Sequence, residues 1–500
     1  MKKLPIGTQD FEVLQKSGSF YLDKTKHLFE ILSSSDRYYF FSRPRRFGKS
    51  LMLSVIKNIF LGKQELFNNL FIDKNWVFEK FPVIYLSFSG YSYERSLEEY
   101  IKNYGQVYYK EKIIKIKEFK YFDLGLIIEE VSNTIGKPVV CLIDEYDKPI
   151  LVHLKNTLQA EKMREFFSAF YAPIKDRDSH IRFFFLTGLT KLMKMSIFSV
   201  LNNLKDIGFK SKHEDLIGYT QTEVEDNFRE ELAYIAQKLR IDYVELILKI
   251  KKNYNGYNFG GNHLLYNPWD INNFIDNESF GYYWADTGIP SAISDYIEDR
   301  VSEVKKIIDS ERSGTLGISE MDLRVHNLKE LKPVILFFYS GYLTIKETID
   351  EQTYSLKFPN FETEQVMSHY FLNLSLSRHF EVLAWKKAAN DITEGIFTQN
   401  AVKIKAAIET IIYEISTHIP YDWLNKNPEG WLKTLVGIAI RMNQTYYAAE
   451  SQNIIGRTDM HLTKEDSIYV LELKVDDRAE NAIKQIETTY EPSYRSLFKT

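Results

Sequence analysis

The chain has 500 residues, more than one hydrophobic core usually serves, so several domains are expected. With 44% hydrophobic and 26% charged residues, its composition excludes wholesale disorder, and a formal net charge of -4 excludes the global attraction to nucleic acid of a strongly basic protein. Cys141 is the only cysteine, which excludes an intrachain disulfide and indicates a reducing compartment. No apolar run has the length of a membrane span or a signal peptide, so we expect a cytoplasmic protein without a membrane partner.

Short β-rich runs alternate with longer helical stretches in the first part of the chain. The β-rich runs are RYYFFS, FPVIYLSF, KPVVCLIDE and IRFFFLTG. This rhythm is typical of a parallel sheet flanked by helices. Residues 1–213 are therefore predicted to form an α/β domain.

The pattern changes after residue 213. Residues 214–375 are predicted to form a helical region and a winged-helix-like unit, in which Thr220 and Glu223 have capping-box spacing and YLTIKETIDEQTYSLKFP is typical of a β-hairpin. Residues 376–500 are predicted to be helical at first and to end in a β-hairpin and a helix. Several aromatic residues of the middle region fit base stacking or core packing, and packing is favoured. They are Tyr254, Tyr257, Phe259, Trp269 and Trp284.

A strand, a loop and a helix follow one another in RYYFFSRPRRFGKSLMLSVIKNIF. Such a loop binds phosphates because backbone N–H groups at the helix N-terminus surround them, a lysine neutralises charge and a hydroxyl ligates Mg²⁺. Lys49 and Ser50 have the residue types for the last two roles. Arg43 stands where the usual pattern has its first glycine, and Gly-Lys-Ser also occurs by chance. The neighbouring residues predicted to contact the nucleotide are Arg45, Arg46, Phe47, Gly48 and Leu51.

Two later strands end in polar residues that suit the same site. KPVVCLIDEYD ends in Asp144 and Glu145, which fit a metal-holding Walker B aspartate and a residue that orients or deprotonates the attacking water. IRFFFLTG ends near Thr187, which fits a polar sensor of the γ-phosphate. Each end also has a purely structural interpretation: an acidic strand end that meets solvent, and a threonine that caps a turn.

The motifs LPIGTQDFE, YLDKTKHLFEIL, SRPRRFGKSLMLS, VVCLIDEYDKP and FFLTGLTK together resemble the AAA-ATPase-like family of prokaryotic proteins. That family similarly carries RPRRFGKS, so Arg43 matches its loop. The resemblance implies a P-loop NTPase sheet that binds ATP and Mg²⁺, and it places Tyr21, Asp23 and Lys24 beside the nucleotide base. It extends through LIGYTQTEV, KKNYNGYNFGG, LYNPWDI, YYWADTG and FFYSGYLTIK, which by analogy form the lid and winged-helix part.

The C-terminal segment IIGRTDMHLTKEDSIYVLELKVDD contains two β-like runs around a polar turn. Such a hairpin brings Asp459 near Glu472 and places Glu472 and Lys474 on one face. Two carboxylates and the Leu473 carbonyl suit Mg²⁺, and Lys474 suits activation of a water, as in the D…ExK arrangement of phosphodiesterases. An exposed hairpin with a surface ion pair is the structural alternative. Glu450 and Gln485 are additional candidates.

In the same segment, GRTDM, VLELKVD, AIKQI and TTYEPSYRSLF resemble the PD-(D/E)XK nuclease domain that accompanies this ATPase type. The resemblance implies an α/β nuclease-like domain that uses Mg²⁺ or Mn²⁺, shortened because the chain stops at Thr500. The leading hypothesis is an ATP-hydrolysing switch coupled to a Mg²⁺-dependent nuclease acting on nucleic acid, with DNA favoured. The alternative is a regulatory ATPase whose last domain binds nucleic acid or a protein partner without cleavage. Homo-oligomerisation stays open.

Overall fold

The structure is a computed structural model. It describes the following residues: 2–110, 112–119, 122–191, 203–209, 211–284, 290–323, 328–375, 382–418, 428–442, 460–464, 467–471, 473–474, 481 and 483–484.

A seven-stranded sheet organises the first part of the chain, in the order β4-β3-β2-β5-β6-β1-β7. Strands β1, β2, β5, β6 and β7 run parallel, whereas β3 and β4 continue the sheet antiparallel from β2. The four predicted β-rich runs are confirmed as β1, β2, β5 and β6. The antiparallel strands β3 and β4 were not predicted from the sequence. The strands are β1 Tyr38–Ser42, β2 Val83–Ser87, β3 Gln106–Tyr109, β4 Lys112–Lys115, β5 Val139–Asp144, β6 Ile181–Gly188 and β7 Lys205–Asp206.

The register of the parallel strands brings their carboxyl ends to one edge. Strand β6 lies between β1 and β5, with Phe41 paired to Thr187 and Ile143 paired to Leu186. On the other side of β5, Ser87 pairs with Asp144. The loop after β1 and the polar ends of β5 and β6 therefore meet at this edge, where ligands bind in open α/β sheets.

Both faces of the central strands are buried. Every residue of β1 and β5 is buried, which explains why these strands read as continuous apolar runs rather than alternating ones. Aromatic rings of Tyr39, Phe183 and Phe185 pack against one another across β1 and β6. Cys141 is fully buried in β5, where it packs within the core.

Helices surround this sheet and continue into the middle region. The capping box predicted at Thr220 and Glu223 is confirmed, because both reciprocal hydrogen bonds are present at the start of Gln221–Leu239. The helices up to residue 277 are Phe11–Lys16, Thr25–Leu32, Lys49–Phe60, Leu97–Tyr104, Leu124–Ile135, Lys148–Leu151, Thr157–Tyr171, Gln221–Leu239, Tyr243–Tyr254 and Pro268–Asn277.

Most of the aromatic residues singled out in the middle region belong to the core. Tyr254, Tyr257, Phe259 and Trp284 are all at most 5% exposed, which confirms packing over base stacking for these side chains.

The predicted hairpin downstream is also confirmed, and an apolar helix precedes it. The helix Pro333–Ser340 is followed by β9 (Thr344–Asp350) and β10 (Thr353–Lys357), and β8 (Gly317–Ser319) completes a three-stranded sheet in the order β8-β10-β9. The remaining helices of this stretch are Ser291–Ile297, Val301–Arg312, Glu320–Leu323 and Phe361–Ser375.

Among the described residues, the C-terminal part has the further helices Val382–Phe397, Ala401–His418 and Pro428–Arg441. The predicted hairpin is present as β11 (Met460–Lys464) and β12 (Ser467–Leu471), antiparallel to each other. The first β-like run of the sequence, RTDMHL, ends at Leu462, whereas β11 continues two residues further to Lys464.

The chain divides into two compact units. The first comprises Met1–Tyr296, Ile318–Tyr354 and Phe358–Glu362, and the second comprises Ile297–Gly317, Ser355–Lys357 and Thr363–Thr500. The division into 1–213, 214–375 and 376–500 stays a prediction. None of the helices within the described ranges combines the length and hydropathy that crossing a membrane requires.

Candidate functional site

The loop between β1 and the helix Lys49–Phe60 ends at a helix N-terminus. Gly48 precedes this helix with φ 102, a left-handed conformation that glycine adopts without a steric penalty. No side chain at Gly48 caps the helix, and the first N–H groups of a helix have no partner within it. The loop therefore has the backbone geometry of an anion site.

Lys49 is the first residue of the helix that follows this loop. Its Nζ donates hydrogen bonds to the carbonyl oxygens of Arg43 and Pro44 at 2.8 and 2.9 Å, and the residue is only 6% exposed. Burial lowers the pKa of this ammonium, whereas the carboxylates of Glu145 and Asp144 act in the opposite direction. Lys49 Nζ is thus placed to exchange these carbonyl oxygens for phosphate oxygens as its hydrogen-bond acceptors.

Asp144 joins three elements of the site. The hydroxyl of Ser50, from the loop helix, donates to Asp144 Oδ2 at 2.6 Å, and the hydroxyl of Thr187, from β6, donates to Asp144 Oδ1 at 2.6 Å. The carboxylate itself is 1% exposed at the end of β5. Residues that are far apart in sequence, and that were predicted separately, are therefore in direct contact.

Glu145 follows Asp144 in a left-handed backbone conformation with φ 51, which is uncommon for a non-glycine residue. Burial and the Asp144 carboxylate raise the pKa of Glu145, and Lys49 opposes this shift. Strained backbone of this kind is often found where a side chain has to be aimed at a site.

The donor set fits Mg²⁺ held jointly by protein and nucleotide. Within the described residues, no group of three or more histidine, cysteine, aspartate or glutamate side chains is placed to hold a metal ion. Ser50 and Asp144 supply one hydroxyl and one carboxylate within contact of each other. This suits Mg²⁺, which is usually bound through one or two carboxylates together with phosphate oxygens and water.

The other predicted contact residues of the loop have different positions. The Arg45 carbonyl accepts from Asn267 Nδ2 at 3.3 Å, and the Arg46 guanidinium lies 3.7 Å from the centre of the Trp269 ring. Phe47 is buried, whereas Leu51 lines a cavity described below. The Arg45 carbonyl and the side chains of Arg46 and Phe47 are thus held by contacts within the protein.

Arg43 has a role that the sequence analysis missed. The residue is 1% exposed, and its guanidinium donates to the carbonyl oxygens of Ser42, Gly208, His213 and Glu214. A fork of five N–H donors is suited to several carbonyls at once. The arginine at the usual glycine position therefore ties the loop to the segment after β7.

Asp147 is a second residue that the sequence analysis missed. It is 1% exposed and accepts hydrogen bonds from the N–H groups of Leu189 and Thr190 at 3.1 and 2.6 Å and from the Thr190 hydroxyl at 2.7 Å. It thereby fixes the turn directly after Thr187. The second aspartate of DEYD was the available signal, since a charged residue so close to a buried strand needs a partner.

A partly open cavity lies beside Gly48, Leu51 and Met52, at the start of the loop helix. Tyr21 and Lys24 line it, as the resemblance implied for residues flanking the base, together with mainly apolar side chains. Lys24 Nζ contacts Glu223 Oε1 at 2.6 Å. Asp23 instead accepts from the Phe71 N–H at 2.7 Å. An apolar cavity next to a phosphate loop suits a flat heteroaromatic base.

The C-terminal candidates are only partly described. Asp459 and Glu472 lie outside the described residues, as do Glu450 and Gln485. Leu473 and Lys474 are described and half-buried. Lys474 Nζ is 3.9 Å from Glu429 Oε1, an acidic residue on the helix Pro428–Arg441 that the sequence analysis did not select.

Comparison with known proteins agrees with the first of these two sites. Residues 5–198 match the family model described as a predicted AAA-ATPase. This AAA-ATPase-like region, residues 5–198, contains the loop together with Lys49, Ser50, Asp144 and Thr187. The finding gives no support for a C-terminal nuclease domain.

The chain is also similar over nearly its whole length to a protein of Azotobacter chroococcum mcd 1, named as an uncharacterized protein in the vnfD 5' region. The two are 29% identical over 517 aligned positions, covering 99% of this chain and 94% of the relative. The similarity therefore extends well beyond the AAA-ATPase-like region. No solved structure matches the chain.

Proposed function

We propose that this chain binds ATP together with Mg²⁺ at the loop of residues 43–50 and hydrolyses it. The observation that supports this most directly is the contact of Ser50 and Thr187 with the two oxygens of Asp144, beside a helix N-terminus that presents Lys49. The match of residues 5–198 to a predicted AAA-ATPase supports ATP as the nucleotide.

Each residue of the site has a defined task in this proposal. The N–H groups of the loop and the Lys49 ammonium bind the phosphates, and Ser50 and Asp144 hold Mg²⁺, which would offset charge on the phosphate oxygens. The Glu145 carboxylate accepts a proton from, or orients, the attacking water. Thr187, held by Asp144, lies where a hydroxyl can contact the terminal phosphate.

The test is binding and turnover of Mg²⁺-ATP by the full chain and by Lys49→Ala. Removing the ammonium is expected to lower kcat/KM by about 100-fold or more, since a preorganised donor to a phosphoryl group is lost. Lys26→Ala, an exposed lysine of the same AAA-ATPase-like region, is the matched control and should behave as the unaltered chain. Equal turnover by Lys49→Ala and the unaltered chain would refute the proposal.

We further propose that the C-terminal segment cleaves nucleic-acid phosphodiesters with Mg²⁺ or Mn²⁺, with DNA as the favoured substrate. The presence of the expected hairpin, β11 and β12, followed by Leu473 and Lys474, supports this second activity. In this proposal Asp459 and Glu472, with the Leu473 carbonyl, hold the metal ion, and Lys474 activates the water. ATP turnover would regulate the cutting.

The nuclease assay compares the unaltered chain with Asp459→Ala and Glu472→Ala, with each metal ion and with and without ATP. Loss of metal-dependent cutting in both variants supports cleavage. Glu465→Ala, a carboxylate of the same segment outside the predicted set, should keep the activity. No cutting by the unaltered chain, combined with ATP-dependent binding of DNA or a protein partner, would instead support the regulatory ATPase without cleavage.

A further inference from the structure

Residues that follow the AAA-ATPase-like region in the sequence contact successive residues of the loop 43–47. Arg43 donates to three carbonyls of residues 208–214. Pro44 packs on Gly341, where an added Cβ would lie only 2.7 Å from the Pro44 Cβ. Gly341 has φ 91, so its small size and its backbone conformation both suit this close approach.

The next residue is held through its carbonyl group. The Arg45 oxygen accepts from Asn267 Nδ2 at 3.3 Å and from Trp284 Nε1 at 3.4 Å. Both donors are buried and themselves fixed, because Asn267 Oδ1 accepts from the Trp269 N–H at 2.9 Å and the Trp284 N–H donates to Glu362 Oε1 at 2.8 Å. These contacts orient the peptide group between Arg45 and Arg46.

Arg46 has the most specific contact of the series. Its guanidinium carbon lies 3.7 Å from the centre of the Trp269 ring, a stacked cation–π geometry. The carboxyl groups of Asp270 and Glu362, each 1% exposed, lie in the same region and interact with one another. Burial and Glu362 raise the pKa of Asp270, and the Arg46 guanidinium opposes this shift.

The backbone of Arg46 explains why an anchor is needed. Arg46 has a backbone φ of 65°, in the left-handed region that residues with a Cβ rarely adopt. A left-handed residue beside right-handed neighbours is the backbone arrangement in which successive N–H groups converge on an anion. Holding the side chain on Trp269 stabilises this backbone conformation and thereby the shape of the phosphate-binding loop.

We propose that Trp269 is a positioning residue for ATP binding, which keeps the phosphate loop in its binding conformation by stacking on Arg46. The inference rests on the proposed function of the loop. It adds that the AAA-ATPase-like region depends for its phosphate site on a helix, Pro268–Asn277, that lies outside that region.

The experiment measures the Kd of a fluorescent ATP analogue with Mg²⁺ for the full chain. Trp269→Leu removes the aromatic surface and is expected to weaken binding about five- to tenfold. Trp269→Phe keeps a ring beneath the guanidinium while losing the hydrogen bond from Trp269 Nε1 to the Tyr283 carbonyl, and should restore most of the affinity. Asp276→Asn, an exposed position on the same helix, is the matched control.

A double-mutant cycle with Arg46→Gln separates this role from general damage. If Trp269 acts through Arg46, the loss in Arg46→Gln/Trp269→Leu should be clearly smaller than the product of the two single losses. If the two single losses of affinity multiply in the double variant, or if Trp269→Leu leaves the affinity unchanged, the proposal is overturned.

Failure of the proposed function gives a different result. If the unaltered chain does not bind Mg²⁺-ATP, that function is refuted, and the same cycle is measured as shifts of the denaturant midpoint without nucleotide. Non-additive shifts then support Trp269 and Arg46 as a pair that shapes the loop, and additive shifts overturn it.

Discussion

The phosphate loop and the C-terminal hairpin were both predicted from short motifs, but they differ in how their residues are brought together. Lys49, Ser50, Asp144 and Thr187 come from a loop helix and two strands, and hydrogen bonds link three of them directly. The hairpin candidates Leu473 and Lys474 are neighbours in sequence. Contacts between distant, separately predicted residues are stronger evidence for a site, because chance motifs have no reason to converge. Variants of the two sites test whether this contrast reflects a difference in function.

The largest effect is expected for Glu145→Gln. This change removes the carboxylate that accepts or directs the proton of the attacking water, so kcat should fall by about 100-fold or more. The Kd for Mg²⁺-ATP should stay within a few-fold of the original value, because phosphate binding depends on Lys49 and the loop N–H groups. Steady-state turnover together with equilibrium nucleotide titration measures both quantities. An unchanged kcat would remove Glu145 from the mechanism.

A smaller effect on kcat is expected for Asp147→Asn. The amide keeps one acceptor oxygen but presents an NH₂ group toward donors that Asp147 now satisfies, namely Leu189 N–H, Thr190 N–H and the Thr190 hydroxyl. We expect a loss of about 1–3 kcal/mol in the free energy of unfolding and about a tenfold lower kcat, because the turn after Thr187 loosens. Denaturant unfolding and turnover assays check this.

Asp178→Asn is the control for that variant. Asp178 is an exposed aspartate just before the opposite end of β6, where its side chain accepts from the Tyr38 hydroxyl. A stability loss there without a change in kcat would show that the effect of Asp147 on turnover is local to the turn. Equal kcat losses in both variants would contradict a specific role for Asp147.

The sheet and the first site were largely predictable because their signals are local. Buried parallel strands appear as apolar runs, and the loop, the acidic strand end and Thr187 each follow such a run directly. The strand order was not predictable in the same way, since it depends on crossovers between distant segments. Placing β6 between β1 and β5 is what sets Thr187 against Asp144.

The anchoring residues could not be predicted for a related reason. Arg43 is a departure from a glycine pattern in the sequence, and only the fold shows the carbonyls of Gly208, His213 and Glu214 around it. Trp269 similarly lies more than two hundred positions from Arg46 along the chain. Buried polar partners at such separations leave no periodic signal, so a single sequence does not reveal them.

The cavity beside the loop gives a prediction about the base. Leu51→Trp places a large ring into the cavity next to Gly48. The affinity for ATP should fall about tenfold, equivalent to about 1.4 kcal/mol, whereas binding of inorganic triphosphate should be unaffected because the loop is unchanged. Competition titrations with both ligands measure this difference. Equal losses for both ligands would show that the cavity does not hold the base.

The smallest effect is expected for Lys474→Ala on stability and ATP turnover. Lys474 Nζ and Glu429 Oε1 are 3.9 Å apart, and the two side chains are 21% and 32% exposed, so this ion pair should contribute about 0–1 kcal/mol. Both the melting temperature and kcat for ATP should therefore stay close to those of the unaltered chain. Metal-dependent cutting, by contrast, should be lost if Lys474 activates the water. A variant that melts normally, hydrolyses ATP and no longer cuts would place Lys474 in a second active site, whereas a large loss of stability would assign it to the structure of the C-terminal unit.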